Sequence, residues 1–333
     1  MIINLAFIKA VNGLFYFALD YMAALEAETS TVLVRSPALA AAVRARFPDA
    51  PVRIMRPLHA ARMVWAASLR GEMVFTPTPH PIPWVRRQMV VVHDTYPFEG
   101  SRGALKAKLF FLAMQSAHIA AGHINVSDGR TFLLQGGIDP ARLMGSPNRM
   151  ARPATPAMQG ALLVSDRPTI GLFGTDSPKK NYEPFFREIL RSAPKVPLSF
   201  RLYGQNNPYI AGIIAEFSAL DIQVVTSDEM DLETFVRSVD ILASAATREG
   251  FSRPMALALS LGVPCWAVEA PVFREFYGLA VTFHAGVAEL ADALCTLVPG
   301  MKIQRPVFTL PDWIERDFQH CIEWLKIQDC PAS

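Results

Sequence analysis

At 333 residues the chain exceeds one ordinary core and suits two domains, and a composition of 51% hydrophobic and 19% charged residues fits a globular α/β protein with buried parallel strands. No segment is of low complexity and no repeat has a solenoid period. The formal net charge of +2 hides an asymmetry: residues 1–150 hold 16 Lys and Arg against 9 Asp and Glu, and residues 151–333 hold 16 against 21.

The apolar opening of the chain reads as a first strand over 2–7, because Asn12 and Asp20 interrupt it well short of a membrane span and no small-residue cleavage site follows. Strand-like runs recur at 31–34, 52–55, 73–75, 89–92 and 123–126, alternating with helix-like segments at 14–28, 38–47 and 104–120. The apolar stretch 109–124, interrupted at helical spacing by Gln115, Ser116, His118 and His123, reads as a core helix. Residues 147–168 are punctuated by prolines and lack periodicity, which is linker composition. A second series of strands follows at 169–173, 199–203, 222–225, 241–243, 265–268 and 280–283, separated by helix-like stretches at 182–191, 209–219, 232–238 and 255–261. Such alternation predicts two doubly wound parallel sheets. The tail, 311–328, has an amphipathic helical pattern in which Trp313 and Trp324 are the expected buried anchors.

Residues 241–265 hold the densest chemical signal. A buried strand over 241–243 gives way to the loop Glu249-Gly250-Phe251-Ser252, and Pro254 suits the first helical position, where a missing N–H costs nothing. The amides of Phe251, Ser252 and Arg253 then face any anion, with the helix dipole in support. Upstream, Gly174-Thr175-Asp176-Ser177-Pro178-Lys179-Lys180-Asn181 sets a glycine turn and a basic pair between a strand and a helix starting near Asn181. Ammonium groups there can hold a diphosphate, and a cation placed against developing charge in a dry site supplies roughly 10²–10³ in rate. His93 stands at the end of the 89–92 strand, and the neighbouring Asp94 suits either a turn cap or a substrate contact.

These residues resemble the donor-binding signature of retaining GT-B glycosyltransferases of the group-1, family-4-like type, Glu-Gly-Phe-Gly-x-Pro with a second Glu eight residues after the first. Glu249, Gly250, Phe251 and Pro254 match; Ser252 replaces the second glycine and Leu257 the second Glu. The Gly174 loop is similar to the family's diphosphate loop, His93 to its His-Asp loop, Gly13 to its first-loop glycine, and Arg130 to a basic position common in relatives. The resemblance implies two Rossmann-like doubly wound parallel-sheet domains facing a cleft: 1–148 on the acceptor side, a linker over 149–167, a nucleotide-sugar domain over 168–309, and a C-terminal helix over 310–333 crossing back to the first domain. It implies a metal-independent hexosyltransferase with Lys180, Glu249 and His93 in catalysis. Gly174, Lys179, Gly250, Phe251, Ser252 and Gly13 would bind the donor, and Arg130 the acceptor. The nucleotide diphosphate sugar is a co-substrate and no further cofactor is implied. The acceptor would be a glycan or lipid-linked saccharide in bacterial surface polysaccharide assembly, on the cytoplasmic side, with peripheral contact to an anionic membrane.

The missing second carboxylate leaves an alternative, a GT-B pseudoenzyme that binds nucleotide sugar or glycan without turnover. Glu269 or Asp228 could substitute for it, and Leu257→Glu would then either restore a ribose contact or bury an unpaired charge. The basic half equally suits a solvated surface, since its arginines are scattered, and no interleaved aromatics suggest nucleic acid. Gly171 and Gly174 form no G-x-G-x-x-G, and there is no Walker lysine, no G-x-S-x-G and no Asp-x-Asp. Cys265, Cys295, Cys321 and Cys330 lie far apart and read as reduced thiols, with neither zinc nor disulfide spacing.

Overall fold

In the computed structural model, which describes residues 1–117, 119–150, 153, 155–175 and 178–329, the chain begins with strand β1 (Ile2–Leu5), every residue of it buried. His118, Asp176, Ser177 and Cys330, named above, and residues 151, 152 and 154 of the expected linker lie outside the described residues. From β1 the chain runs through α1 (Gly13–Ala24), β2 (Thr31–Val34), α2 (Pro37–Arg46), β3 (Val52–Ile54), α3 (Pro57–Leu69), β4 (Val74–Thr76) and β5 (Gln88–Val92). It continues through α4 (Gly103–Ser116), β6 (Ala120–His123), α5 (Thr131–Gln135) and β7 (Leu143–Gly145). The seven strands pair in parallel in the order β3-β2-β1-β4-β5-β6-β7, so the sheet reverses its winding between β1 and β4.

The second series is β8 (Ala161–Leu163), β9 (Thr169–Phe173), α6 (Tyr182–Ser192), β10 (Ser199–Tyr203), α7 (Pro208–Glu216), β11 (Asp221–Val225), α8 (Leu232–Arg237) and β12 (Ile241–Ser244). It closes with α9 (Arg253–Ser260), β13 (Cys265–Val268), α10 (Pro271–Tyr277), β14 (Val281–His284), α11 (Val287–Cys295) and β15 (Lys302–Gln304). Six of these strands form a parallel sheet ordered β11-β10-β9-β12-β13-β14, which reverses between β9 and β12. The last element among the described residues is α12 (Asp312–Asp329).

Two compact units result. The first is Met1–Arg149 together with the segment beginning at Pro311, and the second is Met150–Leu310. In the first, α12 packs on β7, with the Phe318 ring against Tyr21 at 4.8 Å and Cys321 Sγ 3.4 Å from Ser146 Oγ. The acidic tail partly offsets the basic excess of this unit, which then holds 18 Lys and Arg against 14 Asp and Glu.

Local rules account for most elements. Strands such as β5 and β12 are apolar over 89–92 and 241–243 because parallel strands are covered on both faces. Asn12, Ser36, Asn207 and Asp231 cap α1, α2, α7 and α8 by accepting from backbone N–H groups of the first turn. In α6 the buried side chains Tyr182, Phe185, Phe186 and Ile189 mark one helical stripe.

Several expectations shift. The stretch 109–124 is no single core helix: α4 ends at Ser116 and 120–123 form β6, while Leu109 and Leu112 face solvent. The strand expected over 123–126 stops at His123, because the Asn125 side chain accepts from the amides of Asp128 and Gly129 and starts a π turn, Val126–Arg130. Part of the expected linker is β8, paired antiparallel with β15. In α12 the buried residues are Ile314, Phe318, Cys321, Ile322 and Leu325, and Trp313 and Trp324 are only half-buried beside that stripe.

Candidate functional site

Two loops flank the reversal point of the second sheet, and α/β sheets characteristically take ligands at the carboxyl ends of strands at such a point. The first loop leaves β9 at Gly174, whose φ of +81° favours glycine; a Cβ there would stand 2.7 Å from Lys180 Cε. The glycine therefore lets the Lys180 side chain pass over the strand end. The Tyr182 hydroxyl donates to the carbonyls of Phe173 and Gly174 at 2.8 and 2.7 Å, fixing that end. Asn181, at φ +58°, turns the chain into α6, with its amide donating to the Ala245 carbonyl after β12 at 3.2 Å.

The second loop leaves β12 and reaches α9 through Glu249, Gly250, Phe251 and Ser252. Lys180 and Glu249, 69 positions apart, meet here in a direct ion pair with side chains only 16% and 10% exposed. Burial alone would raise the Glu249 carboxyl; the ammonium groups of Lys180 and Lys179, with the hydrogen bond from Lys180, outweigh it and hold the group below the usual carboxylate range. A cavity of 20 Å³ lined by Lys180 together with Phe173, Tyr182, Ser244 and Met255 has room for about one water.

Ser252, the residue in the glycine position of the motif, caps α9 at φ +63°, so the backbone here adopts the left-handed form that glycine would take without steric cost. α9 begins at Arg253, one residue before the expected Pro254. The Phe251 ring is buried against Phe276 at 4.8 Å and Tyr277 at 5.9 Å. The buried Tyr277 hydroxyl donates to the carbonyls of Phe251 and Ser252 and pins the turn. Leu257 is 8% exposed within α9. Glu269 forms an exposed ion pair with Arg274 at 2.8 Å, and Asp228 is exposed.

The other expected residues belong to the first unit. His93 follows β5, half-buried; its Nε2 lies 3.0 Å from the Pro77 carbonyl and so carries the proton it donates, and its ring meets the edge of Phe17 at 4.6 Å. Asn125 donates to the His93 carbonyl at 3.3 Å. Asp94 accepts from the Tyr96 amide at 3.2 Å, the capping role. Gly13 opens α1 after β1, and a Cβ there would meet nothing within 4 Å. Arg130 ends the π turn after β6, half-buried.

Sequence reasoning placed Asn181 at the helix start but missed its hold on the second loop, and it missed Tyr182 and Tyr277, which position the two loops, and His80. That imidazole stacks on Phe7 at 4.5 Å, and burial followed by the charge of Lys9 lowers its pKa to about 4, so it is neutral at pH 7. The backbone sequence around Tyr277 carries no motif that marks it.

No protein-family model and no curated protein matches the sequence. Solved structures do resemble it. HepE of Anabaena, in complex with UDP-glucose, aligns with 98% of this chain and 99% of its own at 16% identity and a TM-score of 0.68. WaaG, a glycosyltransferase involved in lipopolysaccharide biosynthesis, aligns over 98% and 94% at 11% identity and a TM-score of 0.62. A glycosyltransferase from Rickettsia africae aligns over 98% and 93% at 13% identity and a TM-score of 0.59. With two parallel doubly wound sheets and this similarity along nearly the whole of both chains, the fold is α/β of the GT-B type.

Proposed function

We propose that the chain is a glycosyltransferase that moves a hexose from a nucleoside diphosphate sugar to a glycan or lipid-linked saccharide, with retention at the anomeric carbon and without a metal ion. The observation that carries this reading is the pairing of Lys180 with Glu249 at the reversal point of the second sheet, beside the Gly174 turn and the first turn of α9. The UDP-glucose complex of HepE supports the donor class, and the role of WaaG in lipopolysaccharide biosynthesis supports a surface-polysaccharide product.

On donor entry the ion pair opens. Lys180, with Lys179, the loop that follows Gly174 and the turn of Gly250, Phe251 and Ser252, takes the diphosphate, and Glu249 accepts hydrogen bonds from the sugar hydroxyls, which positions the anomeric carbon. His93 is assigned to the donor sugar, Gly13 to close approach of the diphosphate, and Arg130 to the acceptor. The acceptor oxygen attacks the anomeric carbon on the face from which the diphosphate departs; the bond from carbon to phosphate oxygen breaks, and the proton passes to the leaving diphosphate. Lys180 stabilises that charge, an effect of roughly 10²–10³ in rate. Lysines neutralise the diphosphate in place of a divalent ion. No described helix is long and apolar enough to cross a membrane, and a peripheral association with the inner face of the plasma membrane is part of the reading.

Steady-state transfer from a panel of nucleotide sugars tests it. Turnover should persist in excess chelator, fall at least tenfold in Lys180→Ala, and fall in Glu249→Gln by more than nucleotide affinity does; the product should keep the donor's anomeric configuration. Turnover that needs magnesium or manganese, or a folded Lys180→Ala at full rate, contradicts it. Leu257, buried in α9 where the family motif has an acid, favours a second reading, a binding protein without turnover. Nucleotide-sugar binding with no transfer to any acceptor would select it.

A further inference from the structure

The first unit wears its large apolar side chains on the outside of two helices. α3 buries Ala60, Val64 and Ala67 against the sheet, with Ala61 and Met63 packed partly beside them, and sends Leu58, Trp65 and Leu69 to solvent, with Leu58 81% and Leu69 86% exposed. α4 repeats the arrangement: Phe110, Ala113 and Met114 face inward, and Leu105, Leu109 and Leu112 form an outward stripe, each more than half exposed. A surface helix ordinarily turns such residues to the core. Exposed patches of this kind mark interaction surfaces.

Both helices cover the same face of the sheet. α3 packs with Ile2, Leu33 and Val74, and α4 with Val90 and Val92. The register sets Val74 beside Gln88 and Thr76 beside Val90, and side chains two apart on a strand share a face, so Val74, Val90 and Val92 point the same way. At the end of α4, the Trp84 amide donates to Ser116 Oγ at 2.9 Å. Trp84 is 68% exposed and has φ +62°, a backbone form disfavoured for a bulky residue and here spent on turning an indole outward.

The charged side chains of the two helices have one sign, and Glu72, just past α3, is neutralised by Arg70 at 2.7 Å. Neither α3 nor α4 contains Asp or Glu; α3 carries Arg62, α4 carries Lys106 and Lys108, and Arg56 and Arg86 are exposed beside α3 and Trp84. A second copy of the chain docked face to face would oppose like charges, whereas an anionic surface with an apolar interior satisfies both the cations and the leucines.

We propose that this face of the first unit docks on a lipid bilayer bearing anionic headgroups, with the Leu and Trp side chains at the boundary of headgroup and acyl chain and the Arg and Lys side chains in the surface potential. It names the surface for the peripheral-membrane part of the reading above, rests on that part, and is independent of the transfer chemistry.

Flotation of the full chain with vesicles of phosphatidylcholine, with and without phosphatidylglycerol, tests it. Binding should require the anionic lipid, weaken with salt, and fall by roughly thirtyfold or more when Lys106 and Lys108 are both changed to Glu. Leu109→Asp with Leu112→Asp should abolish it, and Leu279→Asp, 96% exposed in the second unit, should leave it unchanged. Trp emission should shift to the blue on binding, and lose part of that shift in Trp84→Phe, which reports the contact without altering charge. Absence of binding to anionic vesicles overturns the proposal and the membrane contact with it. Full binding by both α4 variants overturns the surface alone. A concentration-dependent dimer that Leu109→Asp dissociates, without vesicle binding, assigns the face to a second copy instead.

Discussion

Replacing Lys180 by Met keeps a long apolar stem and removes the ammonium group that faces Glu249. Both side chains are largely buried, and removing one partner of such a pair strands the other charge in the interior at a cost of roughly 3–5 kcal/mol. Lys179, whose charge also acts on Glu249, remains, so a loss of about 2–3 kcal/mol at neutral pH is the expected value. The sign of the pH dependence separates this from simple loss of packing. In the native protein the carboxyl is held below its unfolded value, so its contribution is present above that unfolded value and is lost as pH falls through the folded one. In the variant, burial acts with less opposition and favours the protonated form, so acid relieves the variant while it weakens the native chain. The difference in stability should therefore shrink as pH falls. Urea unfolding at neutral and acid pH, with hydrogen exchange in β9 and β12 to report on the second unit, measures it. The double variant Lys180→Met/Glu249→Gln should cost less than the sum of the singles. Equal stability of variant and native protein at neutral pH, or a loss that does not diminish in acid, would refute the buried pair.

Ser252→Gly should stabilise the fold by about 0.5–1 kcal/mol, read as a higher urea midpoint, because the left-handed conformation at φ +63° costs a serine more than the added unfolded-state freedom costs a glycine; a lower midpoint would contradict it. Truncation before Pro311 exposes the partners of Ile314, Phe318, Cys321, Ile322 and Leu325, each worth roughly 1.5–3 kcal/mol when fully buried, a total comparable with the stability of a domain. The truncated first unit should lose cooperative thermal unfolding, and an unchanged melting temperature would show that α12 is dispensable. Leu257→Glu should destabilise the fold by about 2–4 kcal/mol at neutral pH, and less in acid, because the side chain is buried in α9. Melting curves with and without nucleoside diphosphate check it; tighter nucleotide binding at unchanged melting temperature would restore the ribose-contact expectation.

The two sheets were legible because runs such as 241–243 are apolar throughout, as parallel strands covered on both faces tend to be. α3 was not, because its large apolar residues stand on the outer side and small ones on the inner, so no single stripe declares a core face. Three-residue strands such as β7 and β8 offer no period to read. Glu249 and the Gly174 turn could be found from strand, loop and helix grammar. Their meeting through Lys180 could not, since it depends on β9 and β12 being neighbours across 69 positions of chain. Tyr277 lies still further from any signal, a buried hydroxyl whose only task in the loop is to hold two carbonyls. In α12 the tryptophans drew attention by size, but helical spacing places Ile314, Phe318, Cys321, Ile322 and Leu325 on the buried stripe and the indoles at its margin.

Calorimetric titration of the full chain with a panel of nucleoside diphosphates, repeated on Lys180→Ala, addresses the nucleotide site most directly. At least one nucleoside diphosphate should bind the native protein, and the variant should bind it more weakly by about 1.5–3 kcal/mol, the worth of a charge-assisted hydrogen bond, or roughly tenfold to a hundredfold in Kd. No binding by the native protein, or equal affinity in a folded variant, would contradict a diphosphate site at Lys180.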